Sequence, residues 1–145
     1  MFKSMRRSLV HLLPLGILLV SIPAEASVSL GLGADGWLNR GGEFNVTVAL
    51  HTSLAHAISV GGRFGALVAT NPAVAGVPLD LQLRVAVERG YFEGSAGPWI
   101  LFTDTPFRFH GAFGFGLQSG IVSFGAEVGW LDPNALLGVL LGIRL

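Results

Sequence analysis

The feature that most constrains this chain is a two-residue alternation. One face of each extended segment is large and apolar, and the other is mostly glycine, alanine and serine. Successive side chains of a strand point to opposite faces, so this period prescribes strands. The last segment has it most cleanly: Leu137, Val139, Leu141, Ile143 and Leu145 alternate with Gly138, Leu140, Gly142 and Arg144. Before it, Val122, Phe124, Ala126, Val128 and Trp130 oppose Ser123, Gly125, Glu127 and Gly129 within a strand expected over Ile121–Trp130. Phe107, Phe109, Phe113, Phe115 and Leu117 oppose Arg108, His110, Ala112, Gly114, Gly116 and Gln118.

The same period predicts a strand over Leu79–Tyr91, with Leu79, Leu81, Leu83, Val85, Val87 and Tyr91 on one face. Asp80, Gln82, Arg84, Ala86, Glu88 and Gly90 form its other face, and Arg89 interrupts the apolar one. Three earlier strands run over Val28–Asp35, Phe44–His51 and Ile58–Val68. The segment Trp99–Asp104 lacks clear alternation and is taken as a strand because a closed meander needs an even count. Turn chemistry falls between the segments, at Asn39-Arg40-Gly41-Gly42, Thr70-Asn71-Pro72, Gly94-Ser95-Ala96-Gly97-Pro98, Thr105-Pro106, Ser119-Gly120 and Asp132-Pro133-Asn134. Eight strands joined by short links describe an all-β, up-and-down antiparallel meander, and closing it into a barrel removes both edges.

Alternation alone does not say which face looks outward. A soluble lipocalin-like barrel also alternates, with its apolar face inward. A water-facing surface needs long polar side chains, yet charged residues are 12% of this chain, against about 25% in ordinary soluble domains. Mean hydropathy is +0.63, while residues 27–145 hold no apolar run long enough for a membrane helix. Small residues suit the interior of a narrow barrel, and continuous Leu, Val, Phe and Ile suits lipid contact. The apolar face is therefore expected outside, in a transmembrane barrel. Trp37, Phe44, Tyr91, Trp99, Phe107 and Trp130 lie near expected strand ends, where such barrels carry aromatic girdles.

The first 26 residues form a separate unit. Lys3, Arg6 and Arg7 precede an apolar stretch from Leu9 to Ile22, and Ala24-Glu25-Ala26 places small residues at a signal-peptidase site. A cleaved signal peptide over 1–26 and a barrel domain over 27–145 are expected. The barrel domain holds six arginines, no lysine and eight acids, a formal charge of −2. It has no basic patch, so no nucleic-acid partner is expected. The chain has no cysteine, so the exported domain must stand without disulfides.

On these residues the chain resembles the small eight-stranded outer-membrane barrels of the OmpA-transmembrane and OmpX-like type, over nearly all of 27–145. The resemblance implies residence in the outer membrane of a Gram-negative-type bacterium, with both termini facing the periplasm. The links at 38–42, 71–78, 103–106 and 132–135 would then face outside. It implies contact with outer-membrane lipid and recognition of the last strand by the barrel-assembly machinery. Leu145 stands where those families usually end in an aromatic residue.

The inward face is expected to carry Asp35, Arg63, Asp80, Arg84, Glu88, Arg108, Glu127 and Arg144, four acids and four arginines, with His51 and His110 nearby. Buried charges must be paired. The expected centre is a Glu127–Arg63/Arg84 network near His110, with Asp80 and Arg108 toward the outer end and Glu88 and Arg144 toward the inner end. Such a network plugs the barrel; the alternative is an ion path or proton-responsive gate at His110.

Catalytic signals are sparse. His51-Thr52-Ser53 has the His-x-Ser spacing of lipid A deacylases, but it falls at a periplasmic turn. His51 and His56 have no Cys or acidic cluster beside them, so no metal is expected, and no cofactor motif is present. The expected function is non-enzymatic: a small integral barrel, porin-like in shape, serving envelope integrity or surface contact. A soluble periplasmic barrel binding an apolar ligand is the first alternative. An outer-membrane lipid hydrolase or a narrow pore is the second.

Overall fold

The computed structural model describes residues 26–38 and 41–145. The signal peptide expected over 1–26 therefore lies almost wholly outside the described residues, as do Asn39 and Arg40 of the first link. The elements are β1 (Ser27–Trp37), β2 (Gly41–Ala55), β3 (Ile58–Ala69), β4 (Val74–Val87), β5 (Gly90–Leu101), β6 (Phe107–Ser119), β7 (Val122–Leu131) and β8 (Asn134–Arg144). Each strand pairs antiparallel with the next, and β1 pairs with β8, so the sheet closes as an eight-stranded up-and-down barrel.

The polarity of the wall follows from the alternation. Leu32, Phe44, Val46, Phe64, Leu81, Phe113, Phe124, Val128 and Leu137 are all exposed. Asp35, Glu43, Asn45, Arg63, Asp80, Gln82, Glu93, His110 and Glu127 are all buried. This is the reverse of a soluble barrel. The lipocalin-like alternative requires the Leu, Val and Phe face to line the interior, and that face is outside.

The middle of the chain departs from the expectation. The strand expected over Leu79–Tyr91 ends at Val87 and starts earlier, at Val74. The turn falls at Glu88-Arg89, where Glu88 takes a positive φ of 54°. The run Gly94-Ser95-Ala96-Gly97-Pro98, expected as a turn, is the centre of β5, which replaces the short strand expected over Trp99–Asp104. The physical reason is close approach. A Cβ on Gly97 would strike the Leu79 carbonyl oxygen and the Asp80 Cα on β4, so glycine here permits contact between strands. Pro98 lies where the β4–β5 pairing lapses, between Pro78↔Trp99 and Leu81↔Ala96, and its missing N–H costs the ladder nothing there.

The start of β1 and the end of β8 lie at one end of the barrel, here called the inner mouth, with the turns at 56–57, 88–89 and 120–121. The ends of β1, β3, β5 and β7, with the links at 70–73, 102–106 and 132–133, form the outer end.

Candidate functional site: the barrel lumen

The lumen is layered along its axis. At the outer end Leu67, Trp99, Leu101, Leu131 and Leu136 form a buried apolar cluster, with Trp37 and Val74 packed against it. Trp99 links this cap to the layer below. Its Nε1 donates to both carboxylate oxygens of Asp80, at 3.1 and 3.2 Å, and its ring stacks on His110 with centroids 4.3 Å apart.

Asp80 is the hub of the second layer. Arg63 donates to Asp80 Oδ2 from Nη2 at 2.7 Å and from Nε at 3.1 Å. The two residues are directly opposed in the β3–β4 ladder, so register sets the pair. His110 Nδ1 lies 2.7 Å from Asp80 Oδ1; a carboxylate only accepts, so Nδ1 carries the proton. Glu127 joins more loosely, 3.9 Å from Arg63 Nη1.

Arg84 lies outside this group. It is opposed to Glu93 across the β4–β5 ladder and pairs with it at 2.7 Å. Gln82 Nε2 donates to the other oxygen of Glu93 at 2.7 Å. The Arg84 guanidinium sits 4.4 Å from the centre of the Tyr91 ring, a cation–π contact. Tyr91 fits because Gly116 and Gly125 leave the space that its hydroxyl occupies.

A third group is acidic. Asp35 and Glu43 are opposed in the β1–β2 ladder. Asn45 Nδ2 bridges them, donating to Asp35 at 3.0 Å and to Glu43 at 3.3 Å. Asp35 Oδ1, Glu43 Oε2, Asn45 Oδ1 and Glu127 Oε1 are buried without a hydrogen-bond partner.

Of the residues expected to form the interior network, Arg63, Asp80, His110 and Glu127 are brought together. Arg84 is not joined to Glu127; the β4–β5 register gives it to Glu93. Asp80 is central and not peripheral, because strand tilt carries it beneath Trp99. Glu88 is not in the lumen: it is exposed in the β4–β5 turn. Arg108 stays at the outer rim, donating to the Asp132 carbonyl at 3.2 Å, and Arg144 at the inner mouth, donating to the Gly120 carbonyl at 3.0 Å. The expected balance of four acids and four arginines is also revised. The buried carboxylates are Asp35, Glu43, Asp80, Glu93 and Glu127, and the interior guanidiniums that meet them are Arg63 and Arg84.

The expected girdle divides. Phe44, Phe107 and Trp130 are exposed toward the outer end, and Trp130 packs on Phe109 with centroids 6.2 Å apart. Tyr91 and Trp99 point into the lumen, where the Tyr91 ring face meets Arg84 and the Trp99 indole N–H meets Asp80, and Trp37 packs inward on the apolar cap. His51 is buried at the inner mouth and His56 lies in the β2–β3 turn; among the described residues no three metal-ligating groups converge. Sequence reading missed Glu43, Glu93, Tyr91 and Trp99 as interior residues. The signal for Glu43 was its two-residue offset from Asn45 on the polar face of β2.

With this geometry in hand, the chain compares directly with solved barrels. A structure described as a de novo design of transmembrane β-barrels matches with a TM-score of 0.62 at 10% identity, over 82% of this chain and 95% of that one. The fold is that of a transmembrane β-barrel. The solution structure of the designed barrel TMB2.3 has a TM-score of 0.62 at 19% identity, over 83% of this chain and 94% of its own. The Yersinia pestis outer membrane protein Ail in a phospholipid nanodisc has a TM-score of 0.50 at 13% identity, over 83% of this chain and all of its own. No family model matches the sequence, and no curated protein is similar to it in sequence.

Proposed function

We propose that the chain is exported, cleaved after Ala26 and inserted into the outer membrane of a Gram-negative-type bacterium as a closed, non-conducting barrel that serves envelope integrity or surface contact. The observation that carries this reading is the polarity of the wall. A largely Leu, Val, Phe and Ile exterior around a polar, charged lumen suits hydrocarbon and not water.

The packed outer part of the lumen supports a plug. The cap around Trp99 lies above the Arg63–Asp80–His110 group, and each charge in that group has a partner. The completely buried His110 favours a sealed interior over a proton-responsive gate. Short outer links such as 70–73 and 132–133 favour a wall element over a large adhesin. β8 presents Leu137, Val139, Leu141 and Ile143 outward, the kind of edge that assembly machinery would read. His51 and Ser53 belong to the inner-mouth wall, away from lipid acyl chains, which favours a non-enzymatic role over a lipid hydrolase.

The test is expression of the full-length chain in a Gram-negative host. The envelope fraction is run on a detergent gel boiled and unboiled, and the purified protein is then added to a planar bilayer. A heat-dependent mobility shift in the outer-membrane fraction without conductance steps is expected. A soluble periplasmic band with no shift overturns the membrane assignment, and steady unitary conductance overturns the plug.

A further inference from the structure

The lumen is not filled to its inner end. Past the Arg84–Glu93 pair it opens into a cavity of about 260 Å³. Its wall holds two arginines, Arg84 and Arg144, two histidines, His51 and His56, and a set of serine hydroxyls including Ser29, Ser53 and Ser123. Among the described residues no carboxylate lines it, although the lumen beyond buries five. Arg84 is already matched by Glu93, so Arg144 is the arginine of this wall without an acidic partner among the described residues.

We propose that this mouth is a binding site for a phosphate group. His51 is buried to 7% exposure and its ring lines the cavity, while its Nε2 is closed off from water and lies beside the Gln82 side chain. Arg144 spends one Nη2 contact on the Gly120 carbonyl and meets no acid among the described residues. Arg84 is held rigidly by Glu93 and by the face of Tyr91, so its position in the wall is fixed before any ligand arrives. Serine hydroxyls and a guanidinium arranged around a cavity suit a tetrahedral oxyanion, whose several oxygens each accept a charge-assisted hydrogen bond. A planar carboxylate uses fewer of these donors. Cleavage after Ala26 adds one more cation, because Ser27 lines the same cavity and its new α-ammonium would stand in the wall.

The same chemistry has two sources, free phosphate in the periplasm or the headgroup of an inner-leaflet phospholipid. The barrel, expressed from the full-length chain and purified in octyl glucoside, is titrated with inorganic phosphate while the His51 imidazole is followed by NMR. A saturable shift is expected, with a midpoint weakened roughly tenfold in Arg144→Gln through loss of a charge-assisted contact. Chloride at matched ionic strength should not reproduce it. A heat-modifiable gel band for Arg144→Gln establishes that this variant is folded, and Ser123→Ala, expected to weaken binding less, gives a second variant. Repeating the titration in phosphatidylglycerol nanodiscs separates the sources: loss of the response assigns the headgroup, and retention assigns free phosphate. No saturable shift in octyl glucoside, or equal midpoints for the parent and Arg144→Gln, overturns the proposal.

Discussion

Arg63 and Asp80 face each other across the β3–β4 ladder, and two nitrogens of the guanidinium converge on one carboxylate oxygen at 2.7 and 3.1 Å. Both side chains are nearly inaccessible to water, at 5% and 0% exposure. The pair and its partners His110 and Trp99 must therefore be broken or kept together.

Asp80→Ala leaves the Arg63 charge without its main partner in a closed space. A loss of about 3–5 kcal/mol in unfolding free energy is expected for a broken buried pair. The Arg63→Met/Asp80→Leu double variant should recover much of that loss, because it removes both charges. Urea unfolding of the lipid-reconstituted barrel, followed by tryptophan fluorescence, checks the order; a double variant less stable than Asp80→Ala would contradict it.

The acidic group predicts the opposite sign. Asp35 and Glu43 are acids set directly opposite in adjacent strands, and like charges so placed destabilise a sheet. Glu43→Gln keeps an acceptor for Asn45 Nδ2 while removing one charge. A gain of about 1 kcal/mol is expected, at the upper end for a cross-strand pair, and would appear as a higher urea midpoint.

Two neighbouring glycines should respond differently to the same substitution. A Cβ at Gly97 meets the β4 backbone, whereas one at Gly94 meets nothing within 4 Å. Gly97→Ala should cost about 1–3 kcal/mol by overpacking, while Gly94→Ala should leave the unfolding midpoint within error. Equal effects would mean that β4 and β5 do not approach as described.

The inward turn of Trp99 is open to a spectroscopic test. The chain has three tryptophans, and Trp130 is the one with its side chain on the outer wall, while Trp99 is buried and Trp37 packs on the lumen cap. Brominated acyl chains quench tryptophan by contact. Trp130→Phe should abolish most of the quenching, and Trp99→Phe should leave the quenched fraction intact or larger.

The barrel, its strand number and its polarity were legible because alternation in β6, β7 and β8 is nearly unbroken and the second face is too small for a water-facing surface. Reading failed in β5, where the pattern inverts. There the outward positions Gly94, Ala96 and Pro98 are small, and the inward ones include Tyr91, Glu93 and Trp99. Glycine and proline in such a run look like a turn, and large aromatics look lipid-facing. Only the neighbouring strands reveal that Gly97 passes a backbone and that Trp99 has a buried acceptor. The pairing of charges failed for the same reason. Once the turn is set at Glu88-Arg89, antiparallel geometry brings Arg84 opposite Glu93; with the turn misplaced, Glu93 has no position on the inner face. Asp80 as hub depends on strand tilt, which the order of residues does not carry.

The closure between β1 and β8 divides assembly into two kinds of event. Seven of the eight strand pairings join neighbours in the chain and can form as local hairpins, whereas the seam that sets Ser29 against Arg144 spans almost the whole domain. Contacts of such long sequence separation are the slow ones in folding. Until the seam forms, the chain is a curled ribbon with two unsatisfied edges, which hydrocarbon tolerates poorly. Insertion and closure are for that reason expected to be coupled, with the pairing of the first and last strands, which contain none of the interior salt bridges, as the slow event.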